Sequence, residues 1–178
     1  MEIFEVILHT TADDEGLRNI VNYPIKGDEV MVKGYGVTPY DADSALMQFK
    51  KTAEYWGNED KTPVYHCVLS FTKETAPTVE RAMEITEEVF SGTKRNHLTL
   101  FCAHQKERGP SIIHTHTVQS PTNYNDGSMM YADNSTLFPL AQRAADITQQ
   151  KCRLVVKPED KKKKEFHRVF YPHKNTKD

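Results

Sequence analysis

The sequence is poor in cysteine and has no long apolar run. Its 178 residues include three cysteines, Cys67, Cys102 and Cys152, which are odd in number and widely spaced. This excludes a framework of paired disulfides and is typical of the reducing cytosol. No run approaches the roughly 20 apolar residues of a membrane span, and residues 1–9 lack the basic flank of a signal peptide. We therefore expect a cytoplasmic protein with no membrane partner.

A strong net charge is also lacking. The formal net charge is -2, so the overall composition does not attract the protein to nucleic acid, and such a partner has to bind a local patch. Residues 157–178 contain a basic patch, since residues 157–164 read KPEDKKKK. We predict one domain over residues 1–156 and a basic C-terminal tail over residues 157–178, with an ordinary solvated tail as the alternative.

The apolar pattern predicts alternating strands and helices. Strands are predicted over residues 2–9, 30–37 and 64–71, followed by a hairpin between residues 98 and 119. A helix is predicted after each of the first three strands and another after the hairpin, with residues 154–156 as an edge strand. This order predicts an α+β fold, with about five antiparallel strands and the helices packed on one face. The other face of the sheet is then available for a site.

Three histidines lie on the predicted hairpin, His104 on its first strand and His114 and His116 on its second. Because side chains two residues apart leave the same face of a strand, the rings of His114 and His116 share a face. His104 can approach that pair from the neighbouring strand. Imidazole commonly binds divalent metals, so three rings could hold one cation on the sheet. A half-exposed strand with polar side chains outward is the alternative.

Several short motifs follow one another along the chain. The first is a helix end with a tyrosine, followed by Pro-x-Lys and then a Gly-Tyr pair. Tyr-His with a later Ser-Phe comes next, before a helix and the histidine strands. The motifs are found at residues 17–23 (LRNIVNY), 24–26 (PIK), 34–35, 65–66, 70–71, 77–82, 104 and 114–116. In this order they resemble the relaxase or mobilisation nuclease domain of conjugative and mobilisable elements, which belongs to the endonucleases built on a His-hydrophobe-His site.

The resemblance implies a DNA-nicking enzyme. A relaxase cuts one strand of single-stranded origin DNA by attack of a tyrosine hydroxyl on phosphorus, which leaves a 5'-phosphotyrosine link and a free 3'-hydroxyl. The motif implies Tyr23 as the nucleophile, with packing at a helix end as the alternative. The implied role is mobilisation of a plasmid or integrative element, with accessory DNA-binding and coupling proteins as further partners.

The resemblance also implies a divalent metal held by His104, His114 and His116. The family implies Mg²⁺ or Mn²⁺, whereas three imidazoles by themselves favour Zn²⁺ or another transition metal. The identity of the metal therefore stays open. In either case, the cation would polarise the scissile phosphate and offset the charge of the transition state.

Five more residues are candidates for DNA contacts or for support of the metal ligands. His66 is a candidate hydrogen-bond donor to one of the metal ligands or a candidate DNA contact, or else a buried core histidine. Ser70 is a candidate phosphate ligand, and Lys26 and Lys33 are candidate contacts to backbone phosphates. Ser120 stands where the family favours asparagine.

Two other functions stay open. Lys106, in place of the family's acidic residue, and Ser120 favour a catalytically impaired relative that acts only as a nucleic-acid-binding module. A metal-free two-histidine phosphoesterase is the second alternative, and it needs two His-x-Thr elements on adjacent strands. The sequence has such elements at His9 and His97. Activity that survives a chelator would identify that enzyme.

Overall fold

Seven strands and four helices are present in the part of the chain that the computed structural model describes, residues 1–9, 14–25, 30–105, 113–158 and 162–174. The strands are β1 (Glu2–His9), β2 (Val30–Tyr35), β3 (Val64–Phe71), β4 (His97–Gln105), β5 (Ile113–Asn123), β6 (Cys152–Lys157) and β7 (Phe166–Phe170). The helices are α1 (Asp14–Asn22), α2 (Ala42–Tyr55), α3 (Val79–Val89) and α4 (Asn134–Thr148). A 3-10 turn, Tyr23–Ile25, follows α1 directly. Among the described residues, no helix is long and apolar enough to cross a membrane.

The strands form one mixed sheet in the order β2-β4-β5-β3-β1-β6-β7. Neighbouring strands are antiparallel except β1 and β6, which run parallel. The predicted α+β class agrees with this architecture, but the prediction of about five antiparallel strands is wrong. Because α4 carries the chain from β5 across β3 and β1, β6 enters the sheet in the direction of β1.

Helices cover both faces of the sheet, so the prediction of helices on one face is also wrong. On β4, Leu98, Leu100 and Cys102 belong to a core formed with α1 and α2. The alternate residues Phe101 and Ala103 belong to a second core formed with α3 and α4. A strand that is apolar on both sides needs cover on both sides. By the same alternation, the side chains of His104, His114 and His116 leave the face that carries α1 and α2, which we call the histidine face.

Side-chain caps begin three of the helices. The Asp133 carboxylate accepts hydrogen bonds from two backbone amides at the start of α4, and the Thr78 hydroxyl accepts one at the start of α3. Asp41 caps α2 in the same way, with its side chain accepting from the amides of Asp43 and Ser44.

Part of the segment predicted as a basic tail belongs to the sheet. The strand β7 pairs antiparallel with β6, so β6 is not the edge of the sheet. Phe166 stacks on Phe138 of α4 with ring centroids 6.1 Å apart, and Phe170 meets the same ring edge-on at 5.4 Å. These contacts hold β7 to both β6 and α4.

Candidate active site

Three histidine rings meet on the histidine face where β4 pairs with β5. The register places His104 opposite His114 and Cys102 opposite His116. The ring centroids are 5.3 Å apart for His104 and His114, 5.1 Å for His104 and His116, and 5.0 Å for His114 and His116. Rings that share one ion at metal–nitrogen distances of about 2.1 Å have centroids roughly 5 Å apart. The spacing of the three rings therefore suits one shared cation.

Two of these rings use one nitrogen for a hydrogen bond outside the cluster. His104 Nε2 lies 2.6 Å from the carbonyl oxygen of Pro24, and it is the donor because a carbonyl can only accept. His116 Nδ1 lies 2.9 Å from Nε2 of His66. Histidine ligands of metals usually bond their second nitrogen in this way, which selects the tautomer. In the predicted metal site, Nδ1 of His104 and Nε2 of His116 would then be the ligand nitrogens.

The three rings are close together but do not form a metal-ligand set. Among the residues that the structure describes, no group of three or more histidine, cysteine, aspartate or glutamate side chains is arranged to hold a metal ion. The chemistry and the centroid spacing of the donors suit a cation. The histidine-lined metal site and its choice of Mg²⁺, Mn²⁺ or Zn²⁺ therefore stay predictions.

Two further histidines extend the cluster across the sheet. His66 of β3 is buried and bonded to His116, and His9 of β1 stacks on His66 with centroids 5.8 Å apart and planes 15° apart. Burial, and after it the proximity of His9, lowers the pKa of His66 to about 4. The His66 ring is therefore neutral at physiological pH. Sequence reasoning missed the place of His9, because the sequence does not state which strand lies beside β1.

Tyr23 lies against this cluster from the turn after α1. Its ring meets the His116 ring edge-on, with centroids 5.5 Å apart and planes at 80°. Tyr23 is 63% exposed, whereas His114 and His116 are buried, so a substrate can reach the phenol. The carbonyl of the next residue, Pro24, accepts the hydrogen bond from His104. The turn that carries Tyr23 is therefore tied to β4 by a ring of the cluster.

The polar residue between His114 and His116 has a structural explanation. Thr115 leaves the opposite face of β5, where its hydroxyl lies 2.7 Å from the hydroxyl of Thr86 on α3. Both residues are fully buried. Thr86 also donates to the carbonyl of Ala82. These bonds fix β5 to α3 from behind, while its two histidines point to the other side.

Of the two candidate serines, Ser70 and Ser120, only Ser70 lies beside the cluster. Ser70 is opposite His114 in the pairing of β3 with β5, so its side chain leaves the histidine face beside that ring. Ser120 lies four residues beyond His116, about 13 Å along the strand. Its hydroxyl accepts a hydrogen bond from the Thr122 amide instead.

Of the two predicted lysines, the structure describes Lys33, and it does not lie at the cluster. Lys33 is opposite Phe101 in the pairing of β2 with β4, so it leaves the face opposite the histidines. There its ammonium group lies 2.9 Å from a carboxylate oxygen of Glu87. Lys26 lies outside the described residues.

The two-histidine phosphoesterase site is not formed. His9 lies on β1 and His97 on β4, and β3 and β5 separate these strands. His97 Nδ1 lies 3.0 Å from the carbonyl oxygen of Ser120, far from His9 across the sheet. That enzyme requires its two histidines on adjacent strands, so this pair does not provide its site.

Comparison with known proteins gives one match. A family model described as relaxase, MobA/VirD2-like, nuclease domain matches residues 21–153, well over half of the chain. No curated protein and no solved structure matches the chain. The matched range begins two residues before Tyr23 and includes all three histidines of the cluster. The match confirms the resemblance found in the sequence.

Proposed function

The chain belongs to the relaxase family, in its MobA/VirD2-like nuclease domain, and on this premise we propose that it nicks DNA by tyrosine transesterification. Relaxases bind and nick DNA at an origin of transfer. The proposal is that Tyr23 forms the covalent bond to DNA. The observation that carries it is the exposed Tyr23 ring set edge-on against the buried His116 ring, 5.5 Å between centroids.

The proposed reaction exchanges one ester for another. The phenolic oxygen of Tyr23 forms a bond to phosphorus and loses its proton, while the bond from phosphorus to the 3'-oxygen breaks and that oxygen gains a proton. The products are a 5'-phosphotyrosine and a free 3'-hydroxyl, so no water is consumed. Because the ester bond is conserved, the 3'-hydroxyl can reverse the step after strand transfer.

Relaxases generally use a divalent metal, and His104, His114 and His116 are the residues that would hold it here. Their donor chemistry, their 5.0–5.3 Å centroid spacings and the outer hydrogen bonds of His104 and His116 support this assignment. A bound divalent cation would supply positive charge next to the scissile phosphate. Three neutral ligands would leave that charge undiminished, and Mg²⁺, Mn²⁺ and Zn²⁺ all remain candidates.

The hydrogen bond between His104 and Pro24 couples the nucleophile to the cluster. The donor is a ring of the cluster, and the acceptor carbonyl belongs to the residue that follows Tyr23. A change in the orientation of His104 therefore acts on the turn that carries the phenol. We propose that this bond orients Tyr23 toward a phosphate bound at the histidines.

The proposed substrate is a single strand of DNA with the transfer origin of a plasmid or integrative element. Accessory DNA-binding proteins and a coupling protein are the proposed partners in mobilisation. Ser70, which shares the histidine face beside His114, is the proposed polar contact to the substrate backbone.

An adduct assay tests the proposal. The protein is incubated with 3'-labelled single-stranded oligonucleotides from its transfer origin and Mn²⁺, and the products are separated on a denaturing gel. We expect a labelled protein–DNA adduct that a chelator prevents and that Tyr23→Phe abolishes. Tyr55→Phe is the matched control, since Tyr55 is 80% exposed on α2, remote from the cluster. Oligonucleotide binding without any adduct would instead identify a nucleic-acid-binding module.

A further inference from the structure

Among the described residues, no helix packs on the β1 and β6 half of the histidine face. On β1, Phe4 and Val6 are buried, whereas the alternate residues Ile3, Glu5 and Ile7 are only half-buried. The helix that packs against β1 and β6 is α4, which belongs to the core of the opposite face. We call the surface formed by the exposed and half-buried side chains on this part of the histidine face the open platform. Its residues are Ile3, Glu5, Ile7, Val68, Ser70, Arg153 and Lys157.

The open platform is continuous with the candidate active site. Strand pairing places His114 opposite Ser70, Ser70 opposite Ile3, and Ile3 opposite Arg153 of β6. These four side chains form one row across the sheet on the same face. With neighbouring strands about 4.8 Å apart, the row extends roughly 14 Å from His114 to Arg153. A short stretch of extended polynucleotide can follow this row.

The β6 side of the open platform carries two basic groups. Arg153 is exposed at the end of the row, and Lys157 lies four residues further along β6, about 13 Å away. Lys157 is half-buried with its ammonium group 2.7 Å from the Glu5 carboxylate, and a cavity of about 450 Å³ lies next to Lys157. Its lining residues are Ile7, Leu8, His9, Lys157, Pro158, Lys163 and Glu165. The cavity joins two lysines to the His9 ring, which stacks on His66 of the cluster.

Charge distinguishes the open platform from the neighbouring cleft. That cleft lies between α1 and α2 and reaches Val64, the pairing partner of His9. Its lining has carboxylates of Asp14, Glu54, Glu59 and Asp60, against the two lysines Lys50 and Lys61. The β6 side has Arg153, Lys157 and Lys163 against Glu5 and Glu165, so it carries a positive balance that attracts a polyanion, whereas the cleft repels one. The electrostatics therefore favour a path over β1 and β6 rather than over the helices.

We propose that the open platform binds the single-stranded DNA substrate as it leaves the Tyr23–histidine site, with backbone phosphates on Arg153 and Lys163 and a base in the cavity beside His9. This inference rests on the proposed function for the nature of the strand. A cavity of this size accepts a nucleobase, and the ring of His9 and the side chain of Ile7 provide apolar surface for it.

The test measures binding of the full chain to fluorescein-labelled oligothymidylate of 20 nucleotides by anisotropy, in chelator, across a salt series. Arg153→Ala and Lys163→Ala are each expected to weaken binding several-fold at low salt. Each should also reduce the slope of log K against log salt concentration by about 0.7, the value for one phosphate contact on a single strand. The double variant should reduce it by about 1.4. Circular dichroism checks that each variant is folded.

Lys51→Ala is the matched control, because it removes one exposed lysine of α2, whose ammonium group lies 2.7 Å from the exposed Glu54 carboxylate. It should leave affinity and slope unchanged. The proposal is overturned if both the Arg153 and the Lys163 variants keep the wild-type slope of log K against log salt concentration. It is also overturned if the Lys51 variant loses as much affinity as they do. If the wild type forms the Tyr23 adduct in that case, the proposed function survives and only the path is wrong. If the wild type binds no single strand at all, the proposed function fails as well.

A second readout locates the strand directly. Oligonucleotides with a photoreactive base near the cleavage site are cross-linked to the wild-type protein and the modified peptides are identified by mass spectrometry. The open platform predicts cross-links within residues 3–9 or 153–165. Cross-links confined to residues 42–61 would place the strand over the helices and contradict the inference.

Discussion

Replacing Thr115 and Thr86 by valine tests how the strand that carries His114 and His116 is held from behind. The two hydroxyl oxygens are 2.7 Å apart, and both residues are fully buried. Because the Thr86 proton goes to the Ala82 carbonyl, Thr115 is the donor in this pair. Thr115→Val therefore removes a donor and leaves Thr86 bonded to Ala82. Thr86→Val instead leaves the Thr115 donor buried without its acceptor.

The two single variants should therefore differ in cost. Thr115→Val should lower the free energy of unfolding by about 1 kcal/mol, the net value of one hydrogen bond, and Thr86→Val by about 2–3 kcal/mol, the cost of a buried unpaired donor. The double variant should cost less than Thr86→Val alone, because both polar groups are gone. Urea unfolding followed by circular dichroism measures all three. Strictly additive costs, or a Thr86 variant no less stable than the Thr115 variant, would refute this reasoning.

Three further predictions concern the framework of the site. The pKa of Tyr35 is raised to about 12, with the hydrogen bond to Glu87 as the largest cause. Glu87→Gln should therefore lower the pH at which Tyr35 ionises in an ultraviolet titration, and an unchanged titration curve would contradict this. Since the folded pKa lies above the unfolded value of 10.0, the stability from this bond is present below pH 10 and lost as the pH rises through 12. Gly34→Ala places a Cβ 2.2 Å from the Val37 carbonyl oxygen. The free energy of unfolding, measured in urea, should therefore fall by about 1–3 kcal/mol. An unchanged free energy of unfolding would contradict the clash. Asp41→Ala removes the cap of α2, and calorimetry should show a cost of about 1 kcal/mol rather than none.

The strands of the candidate site were predictable because their pattern is local. Because side chains alternate between the two faces of a strand, His114 and His116 lie on one face of β5. Pairing with the preceding strand brings His104 beside them. The same local reasoning places the end of the first helix before Pro24, which leaves Tyr23 at its exit. These features depend on a few neighbouring residues each.

The wider sheet was not predictable from the same signals. The continuous apolar run of β4 over residues 100–103 indicates a strand covered on both faces. That signal was present in the sequence, but the expectation of an open face outweighed it. The parallel partner of β1 depends on where α4 delivers the chain, which no local pattern states. The strand β7 was missed because four of its five residues are exposed and it follows a lysine run. The contact between His9 and His66 could not be foreseen either, because no local pattern states which strand lies beside β1.

The central claim is that the phenol of Tyr23 becomes bonded to DNA at the histidine cluster. The most direct measurement is mass spectrometry of the protein after reaction with single-stranded origin oligonucleotide and Mn²⁺, followed by proteolysis and nuclease digestion. The account predicts a 5'-linked nucleotide on the peptide that contains Tyr23. A nucleotide on a peptide carrying any other tyrosine would contradict it.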